Sequence, residues 1–269
     1  MDYRLKAQQI RNDLIDVCYN AGTGHVTSSF SCTEILVALY YKIMNYDIHN
    51  PKSTSRDRFI LSKGQASPIL YTILSDIGFF PKEWLDTFCK KDGKFGVHLQ
   101  HDVPGVEVTT GSLGHGLGIS IGMALSAKMN KETHLIFTLL GDGELYEGSI
   151  WESAMFAGQN KLNNLIAIID RNWQCATDFT ENLLPLEPLE DKWKAFGWEV
   201  KRINGHSFEE IFDSLNDIRN IVRTKPLIII ADTIKGKGVD FMESKELWHS
   251  RAPNKTEYIS AKKQLEELI

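Results

Sequence analysis

Four runs rich in Ile, Leu and Val constrain the fold of this 269-residue chain more than any other feature. They occupy residues 134–140, 165–170, 199–203 and 227–232, each ends at or next to Gly, Asp or Asn, and helical or loop patterns separate them. This alternation predicts a parallel sheet. Because three of the runs are almost entirely apolar, we expect helices to cover both faces of the sheet. The predicted fold class is therefore α/β, in one domain spanning residues 1–269.

The first 110 residues have a more helical pattern than the rest of the chain. Ser31 and Glu34 have the spacing of a capping box, which predicts that a helix starts there and leads into an apolar stretch ending near Met44. Three glycines also recur every four residues, at positions 114, 118 and 122, and predict a helix face that another backbone approaches closely. No linker or internal repeat interrupts this pattern.

Composition and charge exclude several classes of function. The chain is 42% hydrophobic and 24% charged, which is enough apolar residue for a buried core. A net charge of -5 gives no overall attraction for nucleic acid or an anionic membrane. No apolar segment follows Met1 and no run of 18 apolar residues occurs, so we expect a soluble protein without a membrane partner. Four scattered cysteines without a C-x-x-C pair favour the reducing cytoplasm.

Polar residues follow two of the apolar runs. Asp142 stands between two glycines after the first run, and Asn172 follows the second. The carboxyl ends of parallel strands share one edge of a sheet, where ligands bind. Hard divalent cations prefer carboxylate, amide and carbonyl oxygens. Asp142, Asn172 and the backbone carbonyl of Gln174 are therefore candidate ligands for Mg²⁺, Ca²⁺ or Mn²⁺ bound with a diphosphate.

The glycines beside Asp142 also suit a diphosphate. Gly143 permits close approach of phosphate oxygens, and a helix predicted to begin near Glu147 would direct its positive end toward them. Gly-Asp-Gly alone is more typical of an ordinary strand-to-helix turn than of a diphosphate site. P-loop, zinc-protease, nucleophile-elbow and dinucleotide-binding motifs are missing from the sequence, so kinase, hydrolase and dehydrogenase functions lose their usual support.

An Asn 30 residues after the Asp, each directly behind a strand, is the thiamine diphosphate signature, and the chain resembles the transketolase family. Further matching segments lie at residues 22–25 with Ser28 and Ser29, 61–68, 104–107, 110–116, 192–198 and 235–238. The resemblance covers most of the chain. It implies the thiamine diphosphate-binding fold, with thiamine diphosphate and Mg²⁺ as cofactors.

The same resemblance implies roles for individual residues. Backbone groups at Gly111 would contact the aminopyrimidine, and Leu113 would support the bent cofactor. The implied cofactor-binding residues are Gln65, Gly111, Leu113, Gly143, Glu144, Asn172 and Lys235. The implied catalytic residues, near the diphosphate, the sugar hydroxyls or a partner interface, are His25, His98, His249 and Glu147. His49, His101, His134 and His206 are expected to be structural or exposed.

The sequence departs from the family pattern in three places. Gln65 stands where a histidine is usual, and an amide keeps hydrogen-bonding capacity but cannot carry a proton in acid–base catalysis. Residues 173–178 replace the usual segment after Asn172. Thr27 stands where Gly or Pro is usual. These differences bear on the metal loop and on the donor pocket.

The implied function is transfer of a two-carbon ketol unit from a ketose, or ketose phosphate, to an aldose. In transketolases the glutamate that activates the cofactor belongs to a separate pyrimidine-binding domain, and this sequence ends before such a domain. We therefore expect an N-terminal subunit that is active only with a C-terminal transketolase subunit, in an α2β2 heterotetramer. A split acyloin or acyl-transfer enzyme with pyruvate or another 2-oxo acid as donor is the alternative, and a noncatalytic module is a more distant one.

Overall fold

A computed structural model describes residues 1–51, 53–220 and 222–267, and within them a parallel sheet of five strands forms the centre of the molecule. The strands are β1 (Arg58–Leu61), β2 (Ile136–Gly141), β3 (Leu165–Arg171), β4 (Glu199–Asn204) and β5 (Leu227–Asp232). Their order across the sheet is β1-β2-β3-β5-β4, and each neighbouring pair is parallel. The predicted α/β class is confirmed.

Helices connect the strands and cover the sheet. They are α1 (Tyr3–Ala21), α2 (Val26–Phe30), α3 (Thr33–Ala38), α4 (Ser67–Asp76), α5 (Gly116–Met129), α6 (Gly148–Gln159), α7 (Thr180–Leu183), α8 (Leu189–Ala195), α9 (Phe208–Leu215) and α10 (Lys255–Glu266). Short 3₁₀ segments at Gly64–Ala66 and Gly143–Tyr146 follow β1 and β2 at the carboxyl edge of the sheet. No helix in the described ranges has the length and apolar character needed to cross a bilayer.

Two hydrophobic clusters lie on the two faces of the sheet. Alternate side chains of a strand point to opposite faces, so Phe137 and Leu139 of β2 enter one cluster while Ile136 and Leu140 enter the other. The first cluster contains side chains of α1 to α4, and the second contains those of α5, α6 and α8. Each fully buried side chain of this size stabilises the fold by roughly 1.5–3 kcal/mol. Coverage of both faces explains why the strands are apolar throughout.

The four predicted strands are present with ends shifted by at most two residues, but β1 was not predicted. Its four residues are too few to give a periodic signal. β1 forms the edge of the sheet beside β2, and its carboxyl end leads directly into Ser62 and Lys63.

The predicted capping box is wrong. α3 begins at Thr33, and its N-cap residue, Cys32, makes no side-chain cap bond. The Ser31 hydroxyl donates instead to Asp170 Oδ2 at 2.6 Å. The Glu34 carboxylate accepts from Arg11 on α1, with N–O distances of 2.6 and 2.8 Å. The Ser31 hydroxyl and the Glu34 carboxylate therefore bind buried polar partners from other segments instead of capping α3.

The glycine face is partly confirmed. Gly114 precedes α5, so only Gly118 and Gly122 belong to the helix. A Cβ atom at Gly118 would lie 3.4 Å from Ser153 Oγ of α6, so close packing of α5 against α6 accounts for this glycine. A Cβ atom at Gly122 would have no neighbour within 4 Å in the described ranges. Packing within this chain therefore does not explain Gly122.

Candidate functional site

Polar groups gather where the strands end. The segments after β1, β2, β3 and β5 contribute Lys63, Asp142, Asn172 and Lys235 to a cleft of about 360 Å³. This volume is in the range of small-molecule sites. The position agrees with the rule that ligands of parallel sheets bind beyond the carboxyl ends of the strands.

A buried ion pair forms the floor of this cleft. The Lys63 ammonium donates to Asp170 Oδ2 and, at 2.7 Å, to the Ser28 carbonyl. Burial opposes both charges, yet the partner charge outweighs it, so the pKa of Lys63 is raised and that of Asp170 is lowered. The hydroxyl of Thr233 donates to the other Asp170 oxygen at 2.5 Å. Asp170 thus ties the ends of β1, β3 and β5 together.

The same carboxylate orients Asn172. Asn172 Nδ2 donates to Asp170 Oδ2 at 3.2 Å, so the amide oxygen lies on the other side of the side chain. That oxygen accepts the Gln174 backbone N–H at 3.2 Å. An acceptor oxygen keeps a further lone pair, so Asn172 Oδ1 remains able to bind a cation.

Asp142 lies beside Asn172 and is almost completely buried. Asp142 Oδ1 accepts the Gly143 N–H at 2.8 Å, while Oδ2 accepts from the Trp173 N–H at 2.6 Å and from Arg171 Nη1 at 3.1 Å. Burial raises the pKa of Asp142 to about 6, although Arg171 opposes the shift. The carboxylate therefore joins the loop after β2 to the loop after β3.

A positive charge lies against the third candidate ligand. The Lys235 ammonium donates to the backbone carbonyls of Gln174, at 3.4 Å, and Cys175, at 3.1 Å, and to His249 Nδ1 at 2.9 Å. Burial, with a contribution from nearby Lys63, lowers the pKa of Lys235 to about 8. The Gln174 side-chain oxygen and nitrogen are buried and find no hydrogen-bond partner in the part of the chain that the structure describes. A cleft with a cation and unsatisfied polar atoms fits an anionic, polar ligand.

The protein oxygen atoms in the cleft suit a metal ion that also binds oxygen atoms of a diphosphate. In the described ranges no cluster of three or more His, Cys, Asp or Glu side chains is placed to hold a metal. Asp142 offers a carboxylate, Asn172 an amide oxygen and Gln174 a backbone carbonyl. Mg²⁺ is typically held by one or two carboxylates together with phosphate oxygens and water. The residues therefore fit a metal–diphosphate pair.

A second cavity, of about 680 Å³, lies beside the first and includes His98 and Gly111. Gln65 Nε2 donates to the Gly111 carbonyl at 2.9 Å, and Gln65 also lines the first cleft. Gly111 has a φ of +144°, and a Cβ atom there would lie 2.8 Å from His98 Cγ. Only glycine satisfies both conditions, and this explains why the residue is Gly.

Glu144 supports the wall of the cleft. Its Oε1 accepts from the Gly114 N–H at 2.9 Å and from the Ser62 hydroxyl, and its Oε2 accepts from the Gly141 N–H at 3.1 Å. The carboxylate is buried, and burial raises its pKa. These bonds hold the loop before α5 against the ends of β1 and β2. Direct cofactor contact by Glu144 stays a prediction.

Three predicted catalytic histidines come together from distant parts of the sequence. The ring centroid of His25 lies 6.4 Å from that of His98 and 5.6 Å from that of His249. Burial, followed by the neighbouring His98 and Lys235, lowers the pKa of His25 to about 4. Burial and Lys235 lower the pKa of His249 to about 4 as well. Both imidazoles are therefore neutral at pH 7.

The remaining predicted residues line the edge of the cleft. Leu113 is half-buried, and Glu147 is exposed at the N-cap of α6, where the helix was expected to begin. The sequence patterns assigned no role to Lys63, Asp170 or Arg171. A charged residue at the end of an otherwise apolar strand is the signal that marks Asp170 and Arg171. Lys63 follows the unpredicted strand β1 and had no such signal.

The amino-acid sequence of this chain is similar to those of known proteins. Residues 3–266 match the family model described as transketolase, thiamine diphosphate binding domain. The chain is 42% identical over 265 residues to one subunit of the apulose-4-phosphate transketolase from Phocaeicola vulgatus, covering 98% of this chain and 94% of the relative. It is 43% identical over 251 residues to one subunit of the 6-deoxy-6-sulfo-D-fructose transketolase from a Clostridium species, covering 93% and 91%.

Solved structures give the same result. The transketolase from Campylobacter jejuni superposes with a TM-score of 0.92 at 32% sequence identity, over 98% of this chain. Only 42% of the Campylobacter chain is covered. Human transketolase is 37% identical over 246 residues, which are 91% of this chain and 39% of the human protein. The chain thus spans about two fifths of these longer relatives and nearly all of the separate subunits.

Proposed function

Because this chain belongs to the transketolase family, we propose that it is the thiamine diphosphate-binding subunit of a two-subunit transketolase. The enzyme transfers a two-carbon ketol unit from a ketose donor to an aldose acceptor. The observation that carries the proposal is the convergence of Asp142, Asn172 and Lys235 in one cleft at the strand ends. The match to subunits of nearly the same length supports the split arrangement.

The cleft residues divide into three binding roles. Asp142, Asn172 and the Gln174 carbonyl would hold Mg²⁺, while Lys235 and the Gly143 backbone would bind the diphosphate. The aminopyrimidine would lie against the groups named in the resemblance, Gly111 and Leu113. When bound, thiamine diphosphate supplies the nucleophilic carbon that attacks the donor carbonyl. Every other contribution comes from binding and orientation by the protein.

The histidines would orient the sugar. Since His25 and His249 are neutral at pH 7, each ring has one N–H donor and one acceptor nitrogen, and Lys235 already occupies the acceptor Nδ1 of His249. His25 Nδ1 is buried and has no hydrogen-bond partner within the described ranges, so it is available to a ligand hydroxyl. His98 is exposed next to it. This arrangement suits several adjacent hydroxyl groups better than a carboxylate.

The proposed donor is a ketose that carries a phosphate or sulfo group. The names of two relatives contain apulose-4-phosphate and 6-deoxy-6-sulfo-D-fructose, and both are sugars with such a group. These names favour a sugar donor over the 2-oxo acid alternative. The proposal also includes Mg²⁺ as the metal and a cytoplasmic location.

A partner subunit would complete the site. It would supply the pyrimidine-binding domain and the activating glutamate, and the exposed Glu147 at the edge of the cleft would face it. Two copies of each subunit would form the heterotetramer.

Reconstitution tests this function. The purified chain should show no ketol transfer with thiamine diphosphate and Mg²⁺, and activity should appear on mixing with a partner of roughly 300 residues, the size of two further domains. The matched control is the same mixture with Asp142→Asn in this chain, which should stay inactive. Substantial turnover by the pure chain alone would sink the split-enzyme proposal.

A further inference from the structure

Arg171 is a completely buried arginine next to the candidate metal site. Its Nη1 donates to Asp142 Oδ2 at 3.1 Å and to the Thr180 hydroxyl at 2.6 Å. Its Nη2 donates to Glu181 at 2.7 Å and to Glu187 at 3.4 Å. The guanidinium therefore connects the strand-end carboxylate to the segment that carries α7.

The two carboxylate oxygens of Asp142 accept different numbers of hydrogen bonds. Oδ2 accepts two hydrogen bonds, from Arg171 and from the Trp173 N–H, whereas Oδ1 accepts only that of Gly143 within the described residues. Oδ2 is therefore the more fully occupied oxygen, and Oδ1 keeps the greater capacity to accept a further ligand. Oδ1 is thus the better placed of the two to bind a metal ion.

Trp173 adopts a backbone conformation that is uncommon for its residue type. Its φ is +68°, in the left-handed region that favours glycine. Its ring lies over the Arg171 guanidinium, with 3.7 Å between the centroid and Cζ, and Arg202 lies 5.7 Å from the same centroid. Stacking of this kind offsets part of the backbone strain. The ring thus holds the loop in the conformation that directs the Trp173 N–H to Asp142.

We propose that Arg171 and Trp173 are positioning residues for the metal site. Together they occupy Asp142 Oδ2, present Oδ1 to the cation, and set the turn that brings Asn172 and the Gln174 carbonyl beside it. This inference rests on the proposed cofactor and metal site. It also gives a role to Trp173, the first residue of the segment that departs from the family pattern after Asn172, because its ring stacks on Arg171.

The acidic neighbours fit this role. A guanidinium facing only the metal ligand would repel a divalent cation, but Glu181 and Glu187 neutralise its far side. A lysine could carry the charge but could not reach Asp142, Thr180 and Glu181 at once with a planar fork. Arginine therefore suits this position better than lysine by geometry, although both carry the charge.

Mn²⁺ titration followed by electron paramagnetic resonance, with thiamine diphosphate present and on the full chain with its partner subunit, tests the inference. Arg171→Gln should weaken Mn²⁺ binding at least tenfold, and Arg171→Lys should recover part of the loss. The matched control is Arg219→Gln, which removes a guanidinium from a buried carboxylate, Asp57, at the amino end of the strands and away from the cleft. It should leave the Mn²⁺ affinity within twofold of wild type, even if it lowers the melting temperature.

A second pair of variants keeps the test decisive if Arg171→Gln does not fold. Trp173→Gly and Trp173→Ala both delete the ring, but only alanine is strained at a positive φ. We expect Trp173→Gly to weaken Mn²⁺ binding a few fold and Trp173→Ala to weaken it further. Equal, wild-type affinity in both variants, or in Arg171→Gln, would overturn the positioning role while leaving the proposed function intact. Failure of the wild-type assembly to bind Mn²⁺ would overturn the metal site and this inference with it.

Discussion

Asp142 takes part in two arrangements, the candidate metal site and the buried pair with Arg171. Replacement by alanine would remove a partner from a buried guanidinium and cost about 1–3 kcal/mol of stability. Asparagine keeps the shape and one acceptor, so Asp142→Asn isolates the metal role. Asp142→Asn and Asn172→Ala should each weaken Mg²⁺-dependent cofactor binding at least tenfold, which is about 1.4 kcal/mol, as measured by calorimetry. Unchanged affinity in both variants would mean that the metal lies elsewhere.

Gln65 is the residue that departs most from the family at the cleft. Its amide holds the Gly111 carbonyl, a bond that a histidine N–H can replace. Gln65→His should therefore leave cofactor affinity within a few fold. Because an imidazole could add proton transfer, typically about 10²-fold or more in rate, the ratio of kcat/KM for ketose phosphate and 2-oxo acid donors should change. An unaltered ratio in the reconstituted enzyme would show that glutamine is a neutral replacement.

At the scale of elements, Glu34 ties three of them together. It pairs with Arg11 on α1, and its Oε2 lies 2.9 Å from Nδ1 of His206, whose Nε2 accepts the Ile234 N–H after β5. Burial alone would raise the pKa of Glu34, but Arg11 and then His206 outweigh it and lower the pKa to about 2.

The lowered pKa of Glu34 gives a pH prediction. A carboxyl whose folded pKa lies below its unfolded value contributes stability that is complete above the unfolded pKa, near 4.5, and is lost as pH falls toward 2. The contribution is on the order of 3 kcal/mol. Denaturant unfolding should show Glu34→Gln to be less stable than wild type at pH 6, with the difference shrinking below pH 4.5. A difference that stays constant down to pH 3 would contradict the assignment.

The sequence predicted whether a segment is a helix or a strand where its hydrophobic pattern is long. It did not do so where contacts between distant segments determine the structure. β2, β3 and β5 have clear patterns because both sheet faces are buried. β1 is too short, and Ser31 and Glu34 look like a capping box because nothing local shows that Asp170 and Arg11 will bind them. The same limit applies to the site: strand ends indicated Asp142 and Asn172, whereas the Arg171 contact depends on how α7 folds back.

At the scale of the whole molecule, Gly122 is a helix glycine with no packing partner in the described part of the chain. Glycine inside a helix costs about 0.5–1 kcal/mol relative to alanine, and apart from the adjoining backbone of α5 no described atom lies within 4 Å of where a Cβ atom of Gly122 would be. The exposed Met155 and Phe156 lie on α6, which packs beside α5 and begins directly after Glu147 at the edge of the cleft. We expect the partner subunit to cover exposed residues of α5 and α6.

Gly122→Gln separates folding from assembly. It should raise the melting temperature of the isolated chain, because a helix former replaces glycine, and weaken association with the partner at least tenfold by sedimentation velocity. Lys263→Gln, an exposed substitution on α10, is the control and should change neither quantity much. Association of the Gly122→Gln chain with wild-type affinity would place the partner on another surface.

The Lys235 ammonium has a consequence for the order in which ligands arrive. The ammonium donates to the Gln174 carbonyl, which is also a candidate metal ligand. A metal ion that bound before the diphosphate would therefore be repelled by a positive charge next to one of its ligands. A diphosphate would draw the ammonium toward itself and release that carbonyl. Metal and cofactor should then bind with positive cooperativity, each raising the affinity of the other by the same factor, since such coupling is reciprocal. The two ligands would behave as one thermodynamic unit, and neither affinity would have a single value without the concentration of the other.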